Sequence, residues 1–222
     1  MHSRWDQGAG QIPDLQVYAP AYMQRMTDLL FAENGVFHPD LDGRINSPGS
    51  QRVYQNRGGV LPRKRPSPNI TPLYDTMVVE SDNWKVTVRE VVHQPGHIEP
   101  YAFRLETEEG VLVYSGDTGP CENIIELAKG ADMLIHMCYF VTGTFIPAGK
   151  TVTSSGHKEA AYVAAEAGVN TLVATHFTPQ MDAPGVKEQC LFEMAEMFKG
   201  RIVWGEDMMC LPLKPEEVPH AG

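Results

Sequence analysis

Short apolar segments typical of β-strands recur from residue 76 to residue 204, and the spacing between them changes near residue 117. Before that point only turn residues separate successive strands, whereas beyond it helical periodicity fills each gap. This order predicts antiparallel strands followed by alternating helices and strands, and therefore a layered α/β domain. The predicted strands are residues 76–80, 85–93, 101–107, 111–115, 131–136, 171–175 and 201–204, and the predicted helices are residues 121–129, 158–167 and 186–198.

The N-terminal part of the chain has a different composition. Residues 15–20 predict a strand and residues 21–33 a helix, but residues 38–72 are rich in proline and glycine, with few apolar residues between them. We expect a long loop there, either a solvated insertion or a substrate-facing flap. It carries a small basic cluster at residues 63–65.

Charge and composition narrow the range of partners. Lys and Arg number 18 against 28 Asp and Glu, which gives a net charge of −10. Because so acidic a surface repels phosphate backbones, we expect a small-molecule substrate, and the charge argues against nucleic acid. Residues 1–20 lack a secretory signal pattern, no apolar run is long enough for a membrane span, and the four cysteines lie far apart. These features predict a cytoplasmic protein with reduced thiols and no membrane association.

The 222 residues are interpreted as one domain, residues 1–222, with a Pro/Gly-rich excursion at about residues 38–75. Homo-oligomerisation stays open at this point.

Four predicted strands end at a potential metal ligand: His93, Asp117, His136 and His176. A fifth candidate, His157, opens a predicted helix. A single histidine at a strand end is more often structural, and the Asp117 turn can be explained by an Asx hydrogen bond. Because rigid strands bring such residues to a common edge, the set favours a metal site, with zinc, manganese or iron as candidates.

The segments around these residues resemble the metallo-β-lactamase fold superfamily, most closely its ribonuclease Z-like and arylsulfatase-like hydrolases. The resemblance extends from about residue 76 to residue 211 and is most specific in the Ser-Gly-Asp-Thr-Gly segment. It implies an αββα sandwich and a binuclear zinc centre. The segments that carry it are residues 91–93, 114–120, 132–136, 155–158 and 173–177.

The resemblance also implies a role for each candidate. His93 would complete the first metal site, Asp117 would bridge both metals, and His176 would be the terminal ligand of the second. His157 would be the non-ligand histidine near the leaving group, so the predicted catalytic residues are His157 and Asp117. His136 would line the rim without binding metal.

One hallmark of the family, a His-x-His-x-Asp-His segment, has no counterpart in this sequence, where residues 1–40 contain only His2 and His38. The resemblance therefore implies an N-terminally truncated form of the fold. Each metal would keep two of the predicted ligands, fewer than the three usual at catalytic zinc, so partial occupancy is expected. His97 is the first candidate for a substitute ligand.

Two functions are compatible with these residues. The first is a metal-dependent hydrolase that uses metal-activated water to cleave an ester-type bond: a carboxylic ester, lactone, sulfate ester or small phosphodiester. The alternative is a catalytically inactive, truncated remnant that acts as an interaction module, because an uncovered sheet edge or apolar face tends to associate.

Overall fold

The computed structural model describes residues 13–144 and 153–214. The chain divides into two compact units, Met1–Leu73 and Tyr74–Gly222. The interpretation of residues 1–222 as a single domain stays a prediction. Within the described residues, no helix has both the length and the apolar character needed to cross a membrane.

The first unit contains a parallel pair of strands and three helices. The two strands pair from Gln16 with Asn69 to Ala19 with Pro72. In chain order, the elements are β1 (Gln16–Ala19), α1 (Met23–Phe31), α2 (His38–Asn46), α3 (Pro48–Asn56) and β2 (Asn69–Pro72). The predicted strand and first helix are therefore present.

The predicted long loop at residues 38–72 is wrong, since α2 and α3 occupy its first half. Two of its prolines begin helices instead of breaking them. Pro39 and Pro48 each lie in a first helical turn, where the missing N–H has no helical partner to lose. The hydroxyl of Ser47 caps α3 by accepting a hydrogen bond from the Ser50 N–H at 3.4 Å.

The second unit is built on a seven-stranded sheet with the strands in sequence order. The first four strands are antiparallel, and each strand from the fourth onward pairs in parallel with the next. A helix connects strands across each parallel step, as parallel pairing requires. The elements are β3 (Val78–Ser81), β4 (Trp84–Glu90), β5 (Tyr101–Thr107), β6 (Gly110–Tyr114), α4 (Glu122–Ala128), β7 (Met133–Met137), α5 (His157–Ala167), β8 (Thr171–Thr175), a 3-10 turn (Pro179–Asp182), α6 (Val186–Met197) and β9 (Arg201–Trp204).

The core of this unit lies between the sheet and its helices. Leu134 and Leu172 point from adjacent parallel strands into it and are fully buried. They meet the alanine-rich face of α5, on which Ala160 and Ala164 are fully buried. Because alanine side chains are short, α5 packs close to the sheet. This rigid layer fixes the strand ends from which the site is built.

Candidate active site

The carboxylate of Asp117 lies between two imidazoles. Its Oδ1 is 3.3 Å from His176 Nε2, and its Oδ2 is 4.0 Å from His93 Nε2. The Asp117 and His176 side chains are 43% and 44% exposed, whereas that of His93 is 13% exposed. The structure therefore brings together the three predicted metal ligands at one solvent-accessible point.

His93 is oriented by the backbone of a distant segment. Its Nδ1–H donates to the Thr153 carbonyl at 2.7 Å, and a carbonyl only accepts, so this bond sets the tautomer. The other nitrogen, Nε2, is thereby left as an acceptor, with the Gln94 side-chain amide 3.4 Å from it. Histidine ligands of metals are commonly held in this way.

His176 directly follows β8 and has a left-handed backbone, with φ of 65°. Its ring is nearly perpendicular to that of Tyr139, with the two ring centroids 5.2 Å apart. The next residue, Phe177, stacks on Trp204 at 3.8 Å, and the Trp204 indole N–H donates to Asp182 at 3.0 Å. These contacts hold a backbone conformation that is unfavourable for a residue with a side chain.

The Asp117 loop is fixed by two fully buried hydroxyl residues that the sequence analysis missed, Thr118 and Ser155. Thr118 Oγ1 accepts from the Val92 N–H at 3.2 Å, and Ser155 Oγ donates to the Thr118 carbonyl at 2.8 Å. Together they connect Asp117 to the segments that carry and orient His93. Both lie in segments that carry the resemblance, residues 114–120 and 155–158, but the sequence analysis assigned them no role.

His157 is fully buried at the start of α5, and both of its ring nitrogens have partners. Nδ1 accepts from the Thr142 N–H at 3.0 Å, and Nε2 lies 2.8 Å from Glu193 Oε2. Hydrogen bonds from Gln189, Lys158 and His157 lower the pKa of Glu193 to about 2. In this arrangement neither nitrogen is available to a substrate, and the catalytic role of His157 stays a prediction.

The prediction that His136 lines the rim is wrong, because the side chain is fully buried. Its Nδ1–H donates to the Met137 carbonyl at 2.8 Å, and burial lowers the pKa of the ring to about 4. His97 is exposed in the turn after Gly96. His2 lies outside the described residues.

The donor chemistry at Asp117 fits a metal site in part. Imidazole nitrogen and carboxylate oxygen are the ligands that zinc takes in proteins. However, within residues 13–144 and 153–214 no group of three or more His, Cys, Asp or Glu side chains is arranged to hold one ion. His93 and Asp117 form one potential pair of ligands, and Asp117 and His176 form another. Neither pair is a complete set of ligands for a metal ion.

An open cleft of about 1010 Å³ lies against the strands and includes His176 and Phe177 in its lining. Its floor is apolar, with Leu105, Leu112 and Ile135 among the residues. Four acidic residues also line it, which makes the cleft a poor site for a polyanion: Glu109, Asp182, Glu206 and Asp207.

No protein-family model matches the sequence. Similar curated proteins include ribonuclease Z of Mycobacterium bovis strain BCG Pasteur, 35% identical over 142 residues, which are 61% of this chain and 50% of that protein. Ribonuclease Z of Mycobacterium marinum is 36% identical over 140 residues, covering 60% of this chain and 49% of that one. The chain therefore spans about half the length of these relatives.

Solved structures share the fold at low sequence identity. The metallo-beta-lactamase fold protein YhfI from Bacillus subtilis has a TM-score of 0.52 at 22% identity, covering 62% of this chain and 53% of that one. Human tRNase Z, short form, has a TM-score of 0.52 at 14% identity, covering 90% and 66%. The predicted α/β, metallo-β-lactamase-like fold class is thus confirmed. The sequence similarity reported above is to proteins named ribonuclease Z.

These relatives overturn one prediction. We expected a small-molecule substrate and argued against nucleic acid, but the similar proteins are named as ribonucleases, and one as a tRNase. The error was to assume that the net negative charge is distributed evenly along the chain. Residues 74–222 have 10 basic and 22 acidic residues, whereas residues 1–73 have eight basic and six acidic ones. The second unit therefore has a net charge of −12 and the first unit a net charge of +2.

Proposed function

We propose that the protein is a metal-dependent phosphodiester hydrolase that acts on RNA. The observation that carries this proposal is the position of the Asp117 carboxylate, 3.3 Å from His176 Nε2 and 4.0 Å from His93 Nε2. The similarity to ribonuclease Z supports RNA as the substrate class. A cytoplasmic location is part of the same proposal, and none of the four cysteines forms a disulfide.

Three residues would hold the metal ions, for which zinc is proposed, with manganese or iron as alternatives. His93 and Asp117 would bind one ion, and Asp117 and His176 the other. When bound, the metal supplies an activated water and neutralises charge on the phosphate. Since each pair provides two ligands and catalytic zinc normally has three from protein, water or groups outside this trio must supply the others.

The chain's own groups order this site before any substrate arrives. Asp117 directs one oxygen toward each imidazole, the Thr153 carbonyl fixes the His93 tautomer, and the contact with Tyr139 orients His176. His157 is proposed as the proton donor to the leaving oxygen. To act in this way, the Nε2–H of His157 must break its hydrogen bond with Glu193 and donate to the substrate instead.

The test measures cleavage of a radiolabelled transfer RNA transcript by the purified chain, with and without added zinc or manganese. We expect metal-stimulated cleavage that is lost in Asp117→Asn and retained in Asp82→Asn, a change in an exposed turn. Metal content of each protein is determined in parallel. Absence of metal-stimulated cleavage in the wild-type chain would contradict the proposal and favour the non-catalytic interaction module.

A further inference from the structure

The hydrogen bonding between β6 and β7 continues past the point where the two strands end. Their last regular partners are Tyr114 and Ile135, and the Ser115 N–H still donates to the Ile135 carbonyl at 3.0 Å. Beyond Ser115 the chain leaves the sheet in the loop that carries Asp117. From there on, side-chain atoms take the place of the backbone carbonyls that accept along a regular ladder.

Met137, the last residue of β7, makes two of these hydrogen bonds. Its N–H donates to the Ser115 hydroxyl at 3.1 Å, and its sulfur accepts the Thr118 N–H at 2.8 Å. Ser115 and Thr118 are the residues on either side of Gly116 and Asp117. One methionine therefore binds both ends of the short segment that carries the carboxylate.

These hydrogen bonds are shielded from water. Ser115 and Thr118 are fully buried, and Met137 is 3% exposed. If the sulfur were removed, the Thr118 N–H would be left as a buried donor without its acceptor, which is an unfavourable state. A thioether is a weak acceptor, but it carries no charge. It therefore holds the loop without placing a second anion next to Asp117.

The loop is also held from its other neighbour in the sheet. Since β6 lies between β5 and β7, the loop that follows it meets β5 as well. Gly116 has a left-handed backbone with φ of 58°, and a Cβ there would lie 2.6 Å from the carbonyl oxygen of Tyr101, the first residue of β5. This close approach leaves little freedom for the loop to adjust when its contact with Met137 changes.

We propose that Met137 is a positioning residue for Asp117. This inference rests on the proposed function, because it takes Asp117 as the ligand shared by two metal ions. By accepting the Thr118 N–H, the sulfur fixes the backbone from which the Asp117 oxygens approach His93 and His176. Groups that orient metal ligands typically contribute about 10- to 100-fold to metal affinity.

The test compares Met137→Leu with the wild type in two measurements. Leucine is close to methionine in size, so the substitution removes the acceptor with little change in packing. Titration calorimetry with zinc should show affinity reduced about 10- to 100-fold. Amide hydrogen exchange of the metal-free protein, followed by NMR, should be faster at Thr118. It should be unchanged at Gly119, whose N–H donates to the Val92 carbonyl at 2.8 Å.

Two further variants separate positioning from a general loss of stability. Met194→Leu makes the same substitution at a fully buried methionine of α6, and it should keep wild-type zinc affinity and wild-type exchange at Thr118. Urea denaturation shows how much stability each leucine variant loses. Met137→Leu should also cause little further loss of zinc affinity in an Asp117→Asn background, because a positioning residue acts through that carboxylate.

The inference is overturned by wild-type zinc affinity or unchanged Thr118 exchange in Met137→Leu, or by an equal loss of affinity in Met194→Leu. It is also overturned if Met137→Leu lowers zinc affinity as much in Asp117→Asn as in the wild type, or if the wild-type chain binds no zinc. Zinc binding that depends on Met137, without metal-stimulated RNA cleavage, would instead contradict only the proposed function.

Discussion

Glu193 on α6 holds His157 on α5 through an Oε2–Nε2 contact of 2.8 Å, with the histidine side chain only 1% exposed. The opposite nitrogen of that ring accepts the Thr142 N–H. His157 therefore links two helices and the segment that follows β7.

Replacing His157 with alanine should lower the free energy of unfolding by about 2–4 kcal/mol, because a buried ring and two hydrogen bonds are lost together. Urea denaturation measures the effect, and His97→Ala, in an exposed turn, provides the control. Unchanged stability together with a loss of RNA cleavage would instead support the catalytic role predicted for His157.

The stability of the protein should depend on ionisation of Glu193. Since hydrogen bonds lower its folded-state pKa to about 2 from the usual 4.5, the ionised form favours the folded state above pH 4.5. That contribution is lost as the pH falls from 4.5 toward 2. Urea denaturation at pH 6, 4.5 and 3 should show a smaller acid destabilisation in Glu193→Gln than in the wild type. Glu196→Gln, on the exposed side of the same helix, should retain the wild-type dependence.

Metal binding should depend most on Asp117, because it is the only anion of the predicted set and lies next to both histidines. Titration calorimetry with zinc or manganese should show affinity reduced at least tenfold in Asp117→Asn. His93→Ala and His176→Ala should each remove one of the two pairs. Wild-type affinity in Asp117→Asn would place the metal elsewhere.

Thr118 should act through the position of its neighbour Asp117. Thr118→Val removes the acceptor for the Val92 N–H, and this should lower the unfolding free energy by about 1–3 kcal/mol. It should also weaken metal binding by about 10- to 100-fold, the range typical of groups that orient ligands. Thr118→Ser keeps the hydroxyl and should restore metal affinity. Failure of serine to restore it would assign Thr118 a packing role only.

The strands of the second unit and the last three helices were predictable because their apolar periodicity is regular, whereas β2 lies in the segment that was predicted as a loop. The predicted strand at residues 101–107 matches β5 in both bounds. Helices α2 and α3 were missed since their prolines fall at helix starts, where the same residue that breaks a helix is favoured. Local sequence does not distinguish these two uses of proline.

The residues of the candidate site were likewise predicted only in part. His93, Asp117 and His176 meet because β4, β6 and β8, every second strand of this part of the sheet, run in the same direction and end at the same edge. His136 also lies at a strand end, but it has the same parity as Leu134 and therefore points into the core. The partner of His157 lies 36 residues away on another helix, and no local pattern predicts such a contact.

The stacking of Phe177 on Trp204 has a spectroscopic consequence. Trp204 is 6% exposed and stacks on Phe177, with the Lys187 ammonium 5.6 Å from the centre of its ring, whereas Trp84 is 38% exposed. Because it is less exposed to water, we expect the emission of Trp204 to be blue-shifted relative to that of Trp84. Phe177 directly follows His176 in the chain and contacts the Trp204 indole. A movement of His176 should therefore change the surroundings of the indole. We therefore expect the fluorescence of Trp204 to respond, without a label, to changes at His176.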